Sequence, residues 1–325
     1  MESGIGQIEK DDMKTPVLLI VYNRLDQVRE VFDSVRRYQP DNLFIFADGA
    51  NTDRVGDLAK CSCVRSWLLE NVDWDCCLKT KFMDKNLGCG LGPSTAITWF
   101  FENVDAGIIL EDDCVPHQDF YEFANQMLVK FKYDESVMAV NSSNFQAERI
   151  GSGSYYFSMQ NGPFCAWATW KRAWTHFDYE LVKYTKSTIW RALLFHYRAT
   201  RRERRWWLDI YDSLMSDQYD GSSWDYQFIF AIWALQGKSI VPNSNLSSNI
   251  GFGPDATHTT NENSVTANRA THAILPILHT DDLAISRKAD LYYHDLYYDK
   301  FVEHLTLKTR AKRFIKKLIR KIKRL

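Results

Sequence analysis

Residues 1–145 alternate between continuous apolar runs and segments with helical periodicity. Apolar runs at Pro16–Asn23 and Asn42–Gly49 flank Leu25–Tyr38, in which apolar residues recur on one helical face. The order strand, helix, strand predicts parallel pairing, because a helical crossover returns the chain to the same edge of the sheet. The same patterns predict strands at Cys76–Phe82, Gly107–Asp113 and Ser136–Asn144, a helix from about Pro93, and a helix over Asp119–Phe131.

The alternation stops beyond Asn144, where the chain becomes rich in tryptophan, tyrosine and loop-forming residues. No internal repeat or low-complexity linker separates the two halves, which favours one fused α/β unit over two free domains. We predict an α/β half at residues 1–145, an aromatic-rich half of the same unit at 146–300, and a separate C-terminal segment at 301–325.

The predicted strand Gly107–Asp113 ends in three adjacent carboxylates, Glu111, Asp112 and Asp113. Adjacent negative charges at the end of a buried strand repel each other, so they need either open water or a cation. One interpretation is a solvated strand end. The other is a site for Mg²⁺ or Mn²⁺, which prefer oxygen ligands and often take one or two carboxylates together with substrate phosphates.

Another acidic residue, Asp48, ends the second predicted strand, Asn42–Gly49. Open α/β sheets bind their ligands at the carboxyl ends of the strands. Asp48 and the Glu111–Asp113 run are therefore expected at one edge of the sheet, although "ADG" is equally typical of a turn.

The composition is that of a globular protein, with 325 residues, of which 45% are apolar. No apolar run reaches the length of about 18 residues that a membrane span needs, and the N-terminus is polar and acidic, which predicts a cytoplasmic protein. The seven cysteines are odd in number and none sits at zinc-binding spacing, so we expect reduced thiols.

The net charge of −1 combines an acidic body with a basic tail, because Lys308–Leu325 contains ten basic residues and no acidic one. Apolar residues recur along this tail at helical spacing, which predicts an amphipathic helix on an anionic membrane surface. Nucleic-acid binding is disfavoured by the acidic body and the apolar stripe. A second basic stretch, Arg198–Trp207, is either a basic patch or a solvated helix face.

Several landmarks of the chain together resemble the N-acetylglucosaminyltransferase I family of GT-A glycosyltransferases. The likeness extends over residues 16–260, and two further stretches, Asn86–Gly92 and Trp167–Trp174, are more similar to bacterial relatives. The resemblance implies a GT-A, Rossmann-like fold that binds a nucleotide-diphospho-sugar. The landmarks are Asn23–Arg24, Asp48, Glu111–Asp113 followed by Asp119–Tyr121, Trp224–Asp225, and Phe252–Gly253 with His258.

The resemblance also implies roles for the acidic strand ends. Asp113 would bind the metal, expected as Mn²⁺ or Mg²⁺, while Glu111 and Asp112 would orient sugar and ribose hydroxyls. Asp48 would contact the uracil ring. Arg24, with Asn23 beside it, would reach the diphosphate, although a surface salt bridge is an alternative.

Four residues outside these strand ends complete the predicted site. Asp225 would be the general base that deprotonates the acceptor hydroxyl, unless it is only a helix N-terminal acid. Trp224 would stack on a sugar. His258 would bind the metal or the diphosphate, unless it is merely solvated. Asn86 begins a glycine-rich loop whose N–H groups would approach the nucleotide, although its spacing matches no phosphate-binding fingerprint.

These expectations combine into a metal-dependent inverting glycosyltransferase that uses a nucleotide-sugar donor, expected to be a UDP-sugar. The acceptor would be a glycan or a lipid-linked glycan of bacterial surface-polysaccharide synthesis, at the inner face of the membrane. One alternative is a nucleotidyltransferase acting on a sugar phosphate, although the basic glycine-rich loop that such enzymes place after the first strand is absent. Another is a catalytically silent glycan-binding module.

Overall fold

The computed structural model describes residues 14–160, 162, 165–252 and 266–303, with side chains up to residue 296. Its centre is an eight-stranded sheet in the order β3-β2-β1-β4-β8-β6-β9-β7. These strands are β1 Val17–Val21, β2 Asn42–Ala47, β3 Cys77–Phe82, β4 Ala106–Glu111, β6 Val137–Asn141, β7 Tyr155–Ser158, β8 Trp167–Trp170 and β9 Lys238–Pro242, and a small sheet pairs β5 Cys114–Pro116 with β10 Ser247–Asn249.

Helices cover the sheet. They are α1 Leu25–Tyr38, α2 Asp57–Asn71, α3 Gly88–Asn103, α4 Asp119–Lys130, α5 Lys171–Trp174, α6 Lys186–Arg191, α7 Arg201–Leu214, α8 Asp225–Ala234 and α9 Arg287–Glu303, with a π-helical turn at Ala192–His196 between α6 and α7.

Strands β1 to β4 pair in parallel, whereas β8 pairs antiparallel with both β4 and β6. The predicted mixed α/β fold, with a mostly parallel sheet flanked by helices, is confirmed. Side chains of β1 alternate between two apolar cores, with Leu18 on one face and Val17 and Leu19 on the other. Burial on both faces explains why the strands appear in the sequence as continuous apolar runs.

The predicted elements of the first half are present, with three differences. Helix α3 begins at Gly88 rather than near Pro93, α2 was not predicted, and β4 ends at Glu111, so Asp112 and Asp113 lie in the turn before β5. The later part of the chain adds β7, β8 and β9 to the same sheet. The predicted amphipathic helix at 301–325 lies outside the described residues from 304 onward.

All seven cysteines are free thiols, as predicted. Among the helices that the structure describes, none combines the length and apolarity needed to cross a membrane.

Candidate active site

A pocket of about 380 Å³ lies where β1, β2 and β4 end. Its wall includes Arg24 after β1, Asp48 after β2, and Glu111 and Asp112 at the end of β4. The glycine-rich loop at 86–89 and the Asp220–Ser222 loop complete it. A larger groove, of about 670 Å³, lies around Pro16 and Ala106, at the amino-terminal ends of β1 and β4 and away from these carboxylates.

Arg24 lies between two carboxylates of the acidic run. Its Nη2 donates to Oδ2 of Asp113 at 2.8 Å and also to Oδ1 of Asp112. Burial alone would lower the pKa of Arg24, but the two carboxylates raise it above its ordinary value. In this structure Arg24 is therefore a half-buried counter-ion of the acidic run, and its contact with a diphosphate stays a prediction.

The surroundings of Glu111 oppose ionisation of its carboxyl. Burial, followed by the charges of Asp113, Asp112 and Asp225, raises the pKa of its carboxyl to about 8. Asp225 contributes to this rise, so its carboxylate lies within electrostatic range of Glu111. A single arginine does not balance this group of carboxylates.

Asp48 fastens the glycine-rich loop to the end of β2. Its carboxylate accepts hydrogen bonds from the backbone N–H of Leu87 at 2.8 Å, of Gly88 at 3.0 Å and of its neighbour Gly49 at 2.8 Å, and from the Asn86 amide at 3.1 Å. Burial raises the pKa of Asp48, while these hydrogen bonds oppose the rise. The turn role is thus present, and a contact with uracil stays a prediction.

Asp57, at the start of α2, is a site residue that the sequence analysis missed. It accepts hydrogen bonds from Tyr22 Oη at 2.5 Å, from the N–H of Asn51 at 2.7 Å and from the Asn23 side chain. Burial would raise the pKa of Asp57, but these hydrogen bonds lower it below its ordinary value. Asn23 is therefore held against α2 at the pocket wall.

The loop before α8 is held by close packing against the start of α3. A Cβ on Gly90 would lie 1.9 Å from the carbonyl oxygen of Gly221, so only glycine permits this approach. Tyr179 Oη donates to the same carbonyl at 2.9 Å. Asp225 then opens α8, and Ser223 Oγ donates to its Oδ1 at 2.9 Å.

Trp224 lies in the aromatic core rather than on the pocket surface. Its side chain is almost fully buried and stacks on Trp167 at a centroid distance of 5.6 Å. Trp174 contacts it edge-on at 6.1 Å. The ring therefore anchors the start of α8, and stacking on a sugar stays a prediction.

Asp113 is covered by the β10 segment, because a Cβ on Gly251 would lie 2.0 Å from its Oδ2. The N–H of Ile250 donates to the Asp113 carbonyl at 2.8 Å. His258, in the loop that follows, lies outside the described residues.

The donor chemistry of the acidic run fits a hard divalent cation. Among the described residues no group of three or more His, Cys, Asp or Glu side chains forms a complete metal site. Magnesium and manganese sites at phosphates need only one or two carboxylates from the protein, because substrate oxygens and water supply the rest. Asp113 is the described residue that would hold such an ion, and the ion's charge would oppose the rise in the pKa of Glu111, which burial causes first and the neighbouring carboxylates second.

No protein-family model and no curated protein sequence matches the chain. Solved structures with remote likeness include HddC from Yersinia pseudotuberculosis, at 9% identity over 49% of this chain and 78% of that chain, with a TM-score of 0.30. Others are a 4-diphosphocytidyl-2C-methyl-D-erythritol synthase from Anaerococcus prevotii and a putative glucose-1-phosphate thymidylyltransferase from Bacillus anthracis, each at 10% identity over 50% of this chain and 74% of that chain, with TM-scores of 0.30. Likeness this remote carries no argument about activity.

Proposed function

We propose that this protein is a metal-dependent inverting glycosyltransferase that uses a nucleotide-sugar donor, with UDP as the nucleotide. The observation that carries the proposal is the pocket at the strand ends, which Glu111 and Asp112 line, together with Asp225, whose charge is close enough to raise the pKa of Glu111. Carboxylates of this kind serve an inverting transfer in two ways, by holding a cation at the diphosphate and by accepting the acceptor proton.

Each residue of the site has its own proposed role. Asp225, oriented by Ser223, accepts the proton of the acceptor hydroxyl as the new bond forms. Glu111 and Asp112 contact hydroxyl groups of the donor. Asp48 holds the glycine-rich loop at the pocket wall by accepting the N–H groups of Leu87 and Gly88. A bound Mn²⁺ or Mg²⁺, held by Asp113, would stabilise the charge on the departing nucleoside diphosphate.

The acceptor is proposed to be a glycan or a lipid-linked glycan in bacterial surface-polysaccharide synthesis. We further propose that the protein is cytoplasmic and binds the inner face of the membrane through the basic tail Lys308–Leu325. This placement would give the enzyme access to a lipid-linked acceptor.

The second candidate is a nucleotidyltransferase that joins a nucleoside triphosphate to a sugar phosphate. It shares the requirement for a sheet-edge pocket and a divalent cation. Of the two arginines on the described pocket wall, Arg24 is engaged by Asp112 and Asp113, which leaves Arg54 for a triphosphate. A triphosphate needs more positive charge than this, so the pocket favours a diphosphate-linked donor.

Calorimetry with the intact chain distinguishes the candidates. UDP should bind in the presence of Mn²⁺ and much more weakly in its absence, and Asp113→Ala should remove the metal dependence while the protein stays folded. Tight binding of a nucleoside triphosphate, with pyrophosphate release in the presence of a sugar phosphate, would instead establish the nucleotidyltransferase.

The assignment of Asp225 is tested by Asp225→Asn, which preserves shape but removes the proton acceptor. Transfer should fall by about 10²–10⁴-fold in kcat, with donor affinity little changed. A helix-terminal role predicts the opposite, because Asn caps a helix about as well as Asp. Transfer within a few-fold of wild type would therefore leave the inverting mechanism without its base.

A further inference from the structure

A basic surface on α7 lies apart from the candidate active site. Its groove, of about 540 Å³, is lined by Arg201, Arg202, Arg205, Trp206 and Asp209, which we call the α7 arginine surface. The arginines fall within the Arg198–Trp207 stretch that the sequence alone left open between a basic patch and a solvated helix face.

The positive charge of this surface is not cancelled by its neighbours. Glu203 is fully buried and accepts two hydrogen bonds of 2.9 Å from Arg287. Its negative charge is therefore paired with Arg287 and does not offset the exposed arginines. Arg202 pairs with Asp295 at 3.0 Å. Arg201 and Arg205 are exposed one helical turn apart and have no ion pair in the described part of the chain. Asp209 offsets only part of this charge.

Aromatic side chains lie in the groove itself and in the segment that precedes α7 in the chain. Trp206 is half-buried in the wall of the groove. In the segment that leads directly into α7, Trp190 is 40% exposed and Phe195 is 68% exposed, and their rings contact each other at 5.9 Å. Aromatic rings close to arginines are typical of proteins at a membrane–water interface, where rings enter the headgroup region and guanidinium groups bind phosphates.

Helix α9, which precedes the C-terminal segment in the chain, lies against the α7 arginine surface. Helix α9 packs on α7 through the Arg287–Glu203 and Arg202–Asp295 pairs, and the rings of Trp206 and His294 lie 5.3 Å apart. The chain continues from α9 into the basic tail Lys308–Leu325. Both basic regions are thus connected through one helix.

We propose that the α7 arginine surface is a docking site for a membrane rich in anionic phospholipid. Arg201 and Arg205 contact lipid phosphates, and Phe195 and Trp190 enter the interface. An anionic polymer such as nucleic acid or a charged glycan would also attract the arginines. It would not remove Phe195 from water, however, so the exposed aromatic pair favours a membrane.

The test is co-sedimentation of the full chain with vesicles of phosphatidylcholine containing phosphatidylglycerol, and with vesicles of phosphatidylcholine alone. The variant Arg201→Gln/Arg205→Gln removes two exposed charges without touching the packing of α9. Because a basic residue near an anionic leaflet adds affinity, this variant should bind anionic vesicles about thirtyfold more weakly than wild type. The matched control Arg37→Gln/Lys60→Gln removes the same charge from exposed positions on α1 and α2 and should bind like wild type.

A second variant, Phe195→Ser, should also weaken vesicle binding, and it should do so at high salt where charge effects are screened. The arginine effect should persist when the chain is truncated before Lys308. Equal binding of the arginine variant, the control and wild type would overturn the proposal. So would a loss of heparin binding with vesicle binding unchanged, which would assign the surface to an anionic polymer. Binding of UDP serves as an independent control and should be unaffected in every variant.

Discussion

The contact between Gly90 and Gly221 allows a quantitative prediction about the loop before α8. In Gly90→Ala, the new Cβ would lie 1.9 Å from the Gly221 carbonyl oxygen and 2.7 Å from Tyr179 Oη. A Cβ atom does not come closer than 3.0 Å to a non-bonded heavy atom unless one of them shifts. The Asp220–Ser222 loop must therefore move by about 1 Å or more. Overpacking of this kind typically costs about 1–3 kcal/mol, which outweighs the gain of about 0.5–1 kcal/mol that Ala brings to a helix.

The functional cost of that movement should exceed the loss of stability. The displaced loop leads directly into Asp225, and a misplacement of about 1 Å in a catalytic group can cost about 10²-fold in rate. Thermal unfolding should therefore show a modest loss of stability, while steady-state kinetics should show a large fall in kcat.

Two further variants make the comparison sharp. Gly92→Ala lies two positions along the same helix, where the new Cβ would come no closer than 3.4 Å to Asp48, so its stability should equal or exceed that of wild type. Tyr179→Phe removes the 2.9 Å hydrogen bond to Gly221 without a steric clash and should give a smaller effect. The reasoning fails if Gly90→Ala unfolds at the same temperature as Gly92→Ala.

Two other predictions concern the buried charges where α9 meets α7. Arg287→Met should lower the free energy of unfolding by about 3–5 kcal/mol in chemical denaturation, because it leaves the buried Glu203 carboxylate without its counter-ion. Arg202→Met breaks only a surface ion pair and should cost about 0–1 kcal/mol. Equal losses of stability in the two variants would refute this prediction. Burial raises the pKa of Asp290 to about 6, partly opposed by hydrogen bonds from Ser158 and Arg287. Because the folded state then holds this proton more tightly than the unfolded chain does, Asp290 lowers stability above pH 6 and this penalty is relieved as the pH falls towards 4. The stability of wild type relative to Asp290→Asn should therefore rise between pH 7 and pH 4, and a flat difference would contradict the assigned protonation.

The sequence predicted the elements whose signals are local. The apolar runs of β1, β2 and β4 and the amphipathic pattern of α1 identified the sheet, and the start of α8 at Asp225 was also placed correctly. The predicted start of helix α3 was too late, because Gly88 and Pro93 are residue types typical of loops. The hydrogen bond from the N–H of Leu87 to Asp48, which holds the start of this helix, cannot be recognised from the sequence.

Contacts between segments that are distant in the chain could not be predicted from the sequence. Nothing local to Asp57 indicates that Tyr22 and Asn23 donate to it, and nothing around Gly90 indicates that Gly221 will lie against it. The burial of Trp224 was missed for the same reason, since an aromatic residue next to an acid is equally compatible with a sugar platform and with a core position. Its neighbours Trp167 and Trp174 are brought there by β8 and α5.

The position of β8 has a consequence for biosynthesis. This strand lies between β4 and β6 and pairs antiparallel with both, although it follows them in the chain. Until Trp167–Trp170 has left the ribosome, the emerging chain therefore carries two apolar strands with unsatisfied edges, which are templates for aggregation. The early βαβ units could form while translation continues, but β4 and β6 are joined only through β8, and β6 and β7 only through the still later β9. Such non-local pairings are slow. Expression of fragments that end before β8 should consequently yield insoluble protein, and holdase chaperones should be most needed during synthesis of the segment between Asn141 and Trp167.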